Sequence, residues 1–215
     1  MTIHRDDSTV RATPPRWAEA TLRLLLKPED CESVSGALIE DYRESILPAR
    51  GSQRADAWYV RQVAGFVWRS TWMWAALFSG AFLVRTLYDW LVPTTDFAVR
   101  STASTWSGVS TLLVVGFWAA WRSRSFAAGP LAAVITSQIA ALMSVTGSAI
   151  LLAVWHDPQT MSAIAGSGGL GEVFVLPFMM IIPAVIVGSV GGAAGSLARR
   201  LARLGPENDV ERGVR

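Results

Sequence analysis

Four long stretches of this chain carry no formal charge, and a soluble fold of 215 residues would have too little polar surface to cover all four. They are Ser70 to Val84, Ser101 to Trp121, Ser125 to His156 with the imidazole neutral, and Val173 to Ala198. A bilayer's hydrocarbon, about 30 Å thick, is crossed by roughly 20 helical residues. The first stretch continues through Arg85 and Asp89 to a stop at Pro93, and Gly129-Pro130 offers a helix start for the third because proline suits a first turn. The expected spans are 70–92, 105–121, 130–155 and 173–198. Trp68, Trp72, Trp90, Trp106, Trp121 and Trp155 fall near span ends, where amphipathic rings favour the interface; Trp74 and Trp118 sit deeper.

Arginines in the short flanking segments set the orientation. Arg54, Arg61 and Arg69 precede the first span, Arg122 and Arg124 join the second to the third, and Arg199, Arg200 and Arg203 follow the fourth. The opposite side carries only Arg100 in its first loop and no lysine or arginine from His156 to Glu172. Both termini are therefore expected in the cytoplasm, with 199–215 as a cytoplasmic tail. Met1 to Arg16 has no apolar h-region and no small-residue cleavage site, so it reads as no secretory signal, and residues 1–13 as a flexible N-terminus.

Residues 14–69 read as a module of three helices. In the first, opened by Pro14-Pro15, Trp17, Ala20 or Thr21, and Leu24 recur at helical spacing. The second starts at Pro28, with Glu29 and Asp30 where the helix dipole favours negative charge, lines one face with Cys31, Val34, Leu38, Tyr42 and Ile46, and ends before Pro48. Arg50-Gly51-Ser52 is a turn, and a third helix from Ala55 stripes Tyr59, Val63 and Phe66 and runs into the first span. Residues 1–69 hold ten basic and ten acidic side chains, so net charge does not draw this part to anionic lipid. The fold class is an all-α membrane protein: a cytoplasmic three-helix module followed by a four-helix transmembrane bundle.

The module resembles a known family. Pro14-Pro15-Arg16-Trp17-Ala18-Glu19, Leu24-Leu25-Leu26, Pro28-Glu29-Asp30, Glu32-Ser33-Val34, Gly36, Leu38, Glu40-Asp41-Tyr42, Arg50-Gly51 and Trp58-Tyr59-Val60-Arg61-Gln62-Val63 look like the permease prefix domain, a helical module found ahead of bacterial ABC-transporter-type permeases. Ala37 stands where that family usually has an acidic residue, and no large extracytoplasmic domain or ATP-binding motif follows. The resemblance implies a multi-pass protein of the bacterial inner membrane whose module binds a protein partner, with Trp17, Glu40, Asp41, Tyr42, Trp58, Tyr59, Arg61 and Gln62 as its candidate residues.

Ionisable side chains at membrane depth are candidates for function, and Arg85 with Asp89 is the one such pair, four residues apart on a helix face. Fifteen residues beyond Ser70, about 22 Å along a helix, Arg85 reaches the outer interface, where an arginine snorkels and pairs with a nearby carboxylate. Ala184, Gly188, Gly192 and Ser196, overlapped by Gly191 and Gly195, make a small-residue stripe for close helix packing within the bundle or between copies of the chain. Pro177 and Pro183 predict kinks in that helix, and Gln138, Ser137, Ser144 and Ser148 predict interhelical hydrogen bonds.

No catalytic, metal or cofactor site emerges. His4 and His156 are far apart, Cys31 is the single cysteine, and the glycine-rich 165–171 follows no strand that would make it a phosphate cradle. A net charge of +2 without a basic stripe argues against nucleic acid. The expectation is a non-enzymatic membrane accessory or regulatory protein, partnered by the lipid bilayer and by a protein bound through 14–69. Two alternatives are a small oligomeric transporter or channel subunit, and a membrane-bound anti-sigma or sensor protein.

Overall fold

Proline and glycine set most of the breaks in a chain that is helical throughout its described part. The structure, a computed structural model, describes residues 13–91, 97–154, 158, 161–162, 165 and 169–204. Helix α1 spans Arg16–Leu25 and α2 Pro28–Asp41, continued by a π-helical turn Tyr42–Ile46 and a short α3, Leu47–Arg50. Then come α4 (Ser52–Leu91), α5 (Phe97–Ser123), α6 (Ala128–Val154), α7 (Gly169–Met179) and α8 (Ile181–Leu204). Two compact units result, Met1–Ser70 and Thr71–Arg215, with α4 contributing to each.

In the first unit the second helix does not end before Pro48 as expected. A proline ring crowds the carbonyl four residues back and offers no N–H to it. The backbone answers by widening: the Leu47 N–H bonds the Tyr42 carbonyl, five residues back, and helical structure continues to Arg50. Gly51 then stops it at φ 73°, its N–H closing on the Leu47 carbonyl at 3.1 Å. The third helix starts at Ser52, three residues before the expected Ala55. Ala18, Leu22, Tyr42, Ala55, Tyr59 and Val63 form the core, flanked by Leu26, Val34, Leu38, Ile46 and Phe66. The expected face of α1 is corrected here: Ala18 and Leu22 are buried while Trp17 is 63% exposed. α1 carries two overlapping apolar stripes, and the one with the small Ala18 packs into the core.

The second unit is built the opposite way from a soluble core. Its buried residues are mostly small: Ala75, Ala120, Ala132, Ala133, Ala140, Ala141, Ala184, Ser79, Thr136, Ser137 and Ser148, with Phe78 and Leu112 the large exceptions at its centre. Its exterior carries Trp72, Met73, Leu77, Trp106, Trp118, Leu142, Ile150, Ile182, Ile186, Val190, Leu197 and Leu201. On α8 these exposed residues repeat at 182, 186 and 190, opposite the small-residue stripe.

Glycines admit α8 into the groove between α5 and α6. A Cβ at Gly188 would stand 2.5 Å from the Ala133 side chain of α6 and 3.0 Å from the Pro130 backbone, and one at Gly129 would lie 2.7 Å from the Gly192 Cα. A second row turns to α5: Gly191 faces the Leu113 carbonyl, Gly195 the Phe117 carbonyl, and a Cβ at Gly116 would come within 2.6 Å of the Gly188 carbonyl. Ala184, Gly188, Gly191, Gly192 and Gly195 are all buried in this seam, and Ser196 is half-buried at its end. Of the two places open to the stripe, these contacts lie within the chain.

α6, 27 residues, and the 34-residue stretch Gly169–Ala202 are long and apolar enough to cross a membrane. The latter is broken at Met180, between Pro177 and Pro183, each of which deprives a carbonyl four residues back of its N–H. The Met180 N–H turns tightly to the Pro177 carbonyl at 3.4 Å, and Gln138 of α6 donates to the Phe178 carbonyl at 3.5 Å. Ser137, in contrast, donates to Val134 of its own helix. α4 and α5 are long enough, 40 and 27 residues, but their composition is less apolar: α5 carries Ser101, Thr102, Ser104, Thr105, Ser107, Ser110 and Thr111, and α4 carries Arg69, Arg85 and Asp89.

Leucine at Gly188 has only Ala133 and backbone to push against, so it should destabilise the detergent-solubilised chain by about 1–3 kcal/mol or more, read as a lower thermal transition. Alanine at Gly80, where nothing lies within 4 Å, should raise the transition instead, by about 0.5–1 kcal/mol in stability.

Candidate functional site

Within the first unit the polar chemistry gathers around two tyrosines. Tyr42, at the π-turn, and Tyr59 of α4 meet edge to face at 6.0 Å between ring centroids, a favourable aromatic geometry. The Tyr42 hydroxyl donates to Asp56 Oδ1 at 2.7 Å, one turn before Tyr59 on α4. Burial, the hydrogen bond and the Asp56 charge together push the Tyr42 phenol up to about 12, because each penalises a phenolate beside a carboxylate. Burial also raises Tyr59; Glu19 adds to the rise, while Arg23 opposes it. Ser35 lies close enough to pull the Tyr59 phenol down, yet no hydrogen bond of normal geometry joins the two buried hydroxyls. Burial raises the Cys31 thiol as well, against an opposing pull from Arg23.

These positions divide the eight candidate residues of the module. Tyr42 and Tyr59, 1% and 0% exposed, are interior, which corrects their assignment to a binding surface. Their hydroxyls face Asp56 and the Ser35 region, so they hold α2 and its π-turn against α4. Trp58 and Gln62 are half-buried, and Trp17, Glu40, Asp41 and Arg61 are exposed and open to a partner. Trp17 is held at the start of α1, where the Thr21 hydroxyl donates to its carbonyl at 2.9 Å, and Arg23 pairs with Glu19 one turn apart.

The side chains of Arg85, Asp89 and Glu172 lie outside those described, as do His4, His156, Asp157 and residues 166–168 of the glycine-rich 165–171. Among the described residues no group of histidine, cysteine or carboxylate side chains could hold a metal ion. In the second unit hydroxyls serve helix contacts: Ser79 of α4 reaches the Ala140 carbonyl of α6 at 3.5 Å, and Ser123 and Thr111 bond back to their own helix. Thr136, fully buried on α6, has no hydrogen-bond partner for its hydroxyl.

Sequence reasoning missed Asp56, Gly116, Gly129 and Arg199. Asp56 is an ordinary acid near the start of the expected third helix, and only the fold brings it to Tyr42. Gly116 carried a readable signal, since a glycine inside a predicted helix invites a close neighbour, while Gly129 was read only as part of a helix start. Arg199, read only as an orientation signal, donates to the Trp121 carbonyl at the end of α5, where a cation meets the negative end of the helix dipole.

No protein-family model, curated protein or solved structure matches the chain.

Removing the Tyr42 hydroxyl as Tyr42→Phe should cost about 0.5–1.5 kcal/mol of module stability, measured by chemical denaturation of the full chain. The native phenol is raised from 10.0 to about 12, so its contribution is complete below pH 10 and is lost as pH climbs through about 12. Tyrosinate absorbance in a variant with Tyr59 and Tyr88 replaced by phenylalanine should show that late titration; a transition near 10 in the folded protein would refute it.

Proposed function

We propose that the chain is a non-enzymatic, multi-pass membrane accessory protein, with its helical module presented to a protein partner in the cytoplasm. The observation that carries the reading is the inverted side-chain distribution of Thr71–Arg215: small residues inside, large apolar residues outside. Water penalises such an exterior, whereas lipid tails are as apolar as leucine and reward close backbone packing instead. Two helices with the length and apolarity to cross a membrane support the same conclusion. In this reading α4 and α5 are the other two crossings, with Ser79 of α4 reaching α6 and Thr111 of α5 bonding back to its own helix.

Arg122, Arg124, Arg199 and Arg200, with no acid between Phe97 and Val154 or between Val173 and Leu204, favour a cytoplasmic position for the end that carries them. The resemblance of residues 14–69 to the permease prefix module, with Trp17, Glu40, Asp41 and Arg61 exposed, favours partner binding over transport or sensing, for which no convergent polar site among the described residues supplies a motive.

Reporter fusions check the topology: one after Arg203 and one after Ser52 should be active only in their cytoplasmic form, and one placed in the 155–168 segment only in its exported form. For the module, Trp17→Ala combined with Glu40→Ala and Asp41→Ala should abolish recovery of a partner that wild type retains, without loss of the folded protein. Equal recovery by wild type and variant would sink the partner-binding role.

A further inference from the structure

We propose that the end of the second unit formed by the α5–α6 turn and the last turns of α8 binds the phosphate headgroup of an anionic phospholipid, an inference that rests on the membrane reading above. Sequence places Arg122 and Arg124 in one segment and Arg199 and Arg200 almost eighty residues away; the packing brings them together. The Arg199 guanidinium donates to the Trp121 carbonyl next to Arg122, and a Cβ at Gly192 would lie 3.0 Å from the Phe126 carbonyl, so α8 runs past the turn that carries Arg124 and reaches the end of α5 that carries Arg122. Arg122, Arg124 and Arg200 are exposed, and α5, α6 and α8 bring no carboxylate to this end.

Arg124 adopts φ 62°, a left-handed backbone that a non-glycine residue enters at a cost and that holds the turn in one shape. The first amides of α6 are already used, Ala128 on Ser125 at 3.3 Å and Gly129 on Phe126 at 3.0 Å, and Pro130 has none. Attraction for an anion therefore rests on the guanidinium groups rather than on the helix terminus. Guanidinium suits phosphate because its planar fork pairs two oxygens at once.

The surroundings select a lipid over a free ion. Trp118 lies one turn below Arg122 on the same face of α5 and is 52% exposed, and Leu197, 58% exposed, lies one turn below Arg200 on α8. Arg122 and Arg200 thus each stand above an exposed apolar side chain, the order in which a headgroup stands above its acyl chains. A soluble phosphate would have no use for those apolar residues.

The test is native mass spectrometry of the full chain in detergent, titrated with phosphatidylglycerol or phosphatidylcholine of equal chain length. Wild type should retain phosphatidylglycerol at least about tenfold more strongly, and Arg122→Gln and Arg200→Gln should each weaken that retention about fivefold with phosphatidylcholine unchanged. Both residues are exposed, so the variants keep the fold, which thermal melting verifies; Arg199 is left intact because it packs on α5. Equal retention of the two lipids, an unchanged preference in the double variant, or displacement of the lipid by millimolar inorganic phosphate would each overturn the proposal. Alkaline carbonate extraction separates the two levels: protein that stays with the membrane but shows no lipid preference overturns this inference alone, whereas protein released as soluble overturns the membrane reading beneath it.

Discussion

The backbone contact of α8 with α5 and α6 governs the second unit. Gly188 and Gly192 give α8 one flat face and Gly191 and Gly195 another, about 60° apart around a helix of 3.6 residues per turn, so it can touch two neighbours at once. At such distances dispersion between backbones replaces the interlocking of large side chains. Large apolar residues are thereby displaced to the outside, where Ile182, Ile186 and Val190 follow the same four-residue repeat. The apolar exterior is in this sense the consequence of an interior made of glycine and alanine.

The first unit is organised by the ordinary logic of water. Leu22, Tyr42, Tyr59 and Val63 are buried, charged residues lie outside, and the Tyr42 hydroxyl is matched by Asp56, while the Tyr59 and Ser35 hydroxyls are buried there as well. Pro48 has an effect beyond its own position: it forces the π-turn, and Tyr42 sits where that turn begins. Tyr42 thus has a structural task, and of the eight module residues named from the sequence only Trp17, the acidic pair Glu40 and Asp41, and Arg61 are exposed.

The arginines show how one residue type takes different parts in a small fold. Arg199 is spent on the end of α5 and orders the meeting of two helices, while Arg122 and Arg200 remain exposed above apolar side chains. Four arginines gather at this end, and its three helices bring no carboxylate to it.

Helix positions were largely legible in the sequence, because proline, glycine and uncharged length act locally: the break near Pro177 and Pro183, the stop at Gly51 and the start near Pro130 all follow from neighbours in the chain. The errors came where a local signal was ambiguous. Pro48 can end a helix or widen it, and α1 has two apolar stripes of which packing buries only one, leaving Trp17 outside. Periodicity recognised the small-residue stripe of α8 but could not say what fills it, since a missing Cβ shows that something comes close and not which helix does. Only tertiary structure could decide that Gly188 meets Ala133, that Asp56 answers Tyr42 and that Arg199 arrives beside Trp121. Those pairings join residues fourteen to seventy-eight positions apart, beyond the reach of any helical period.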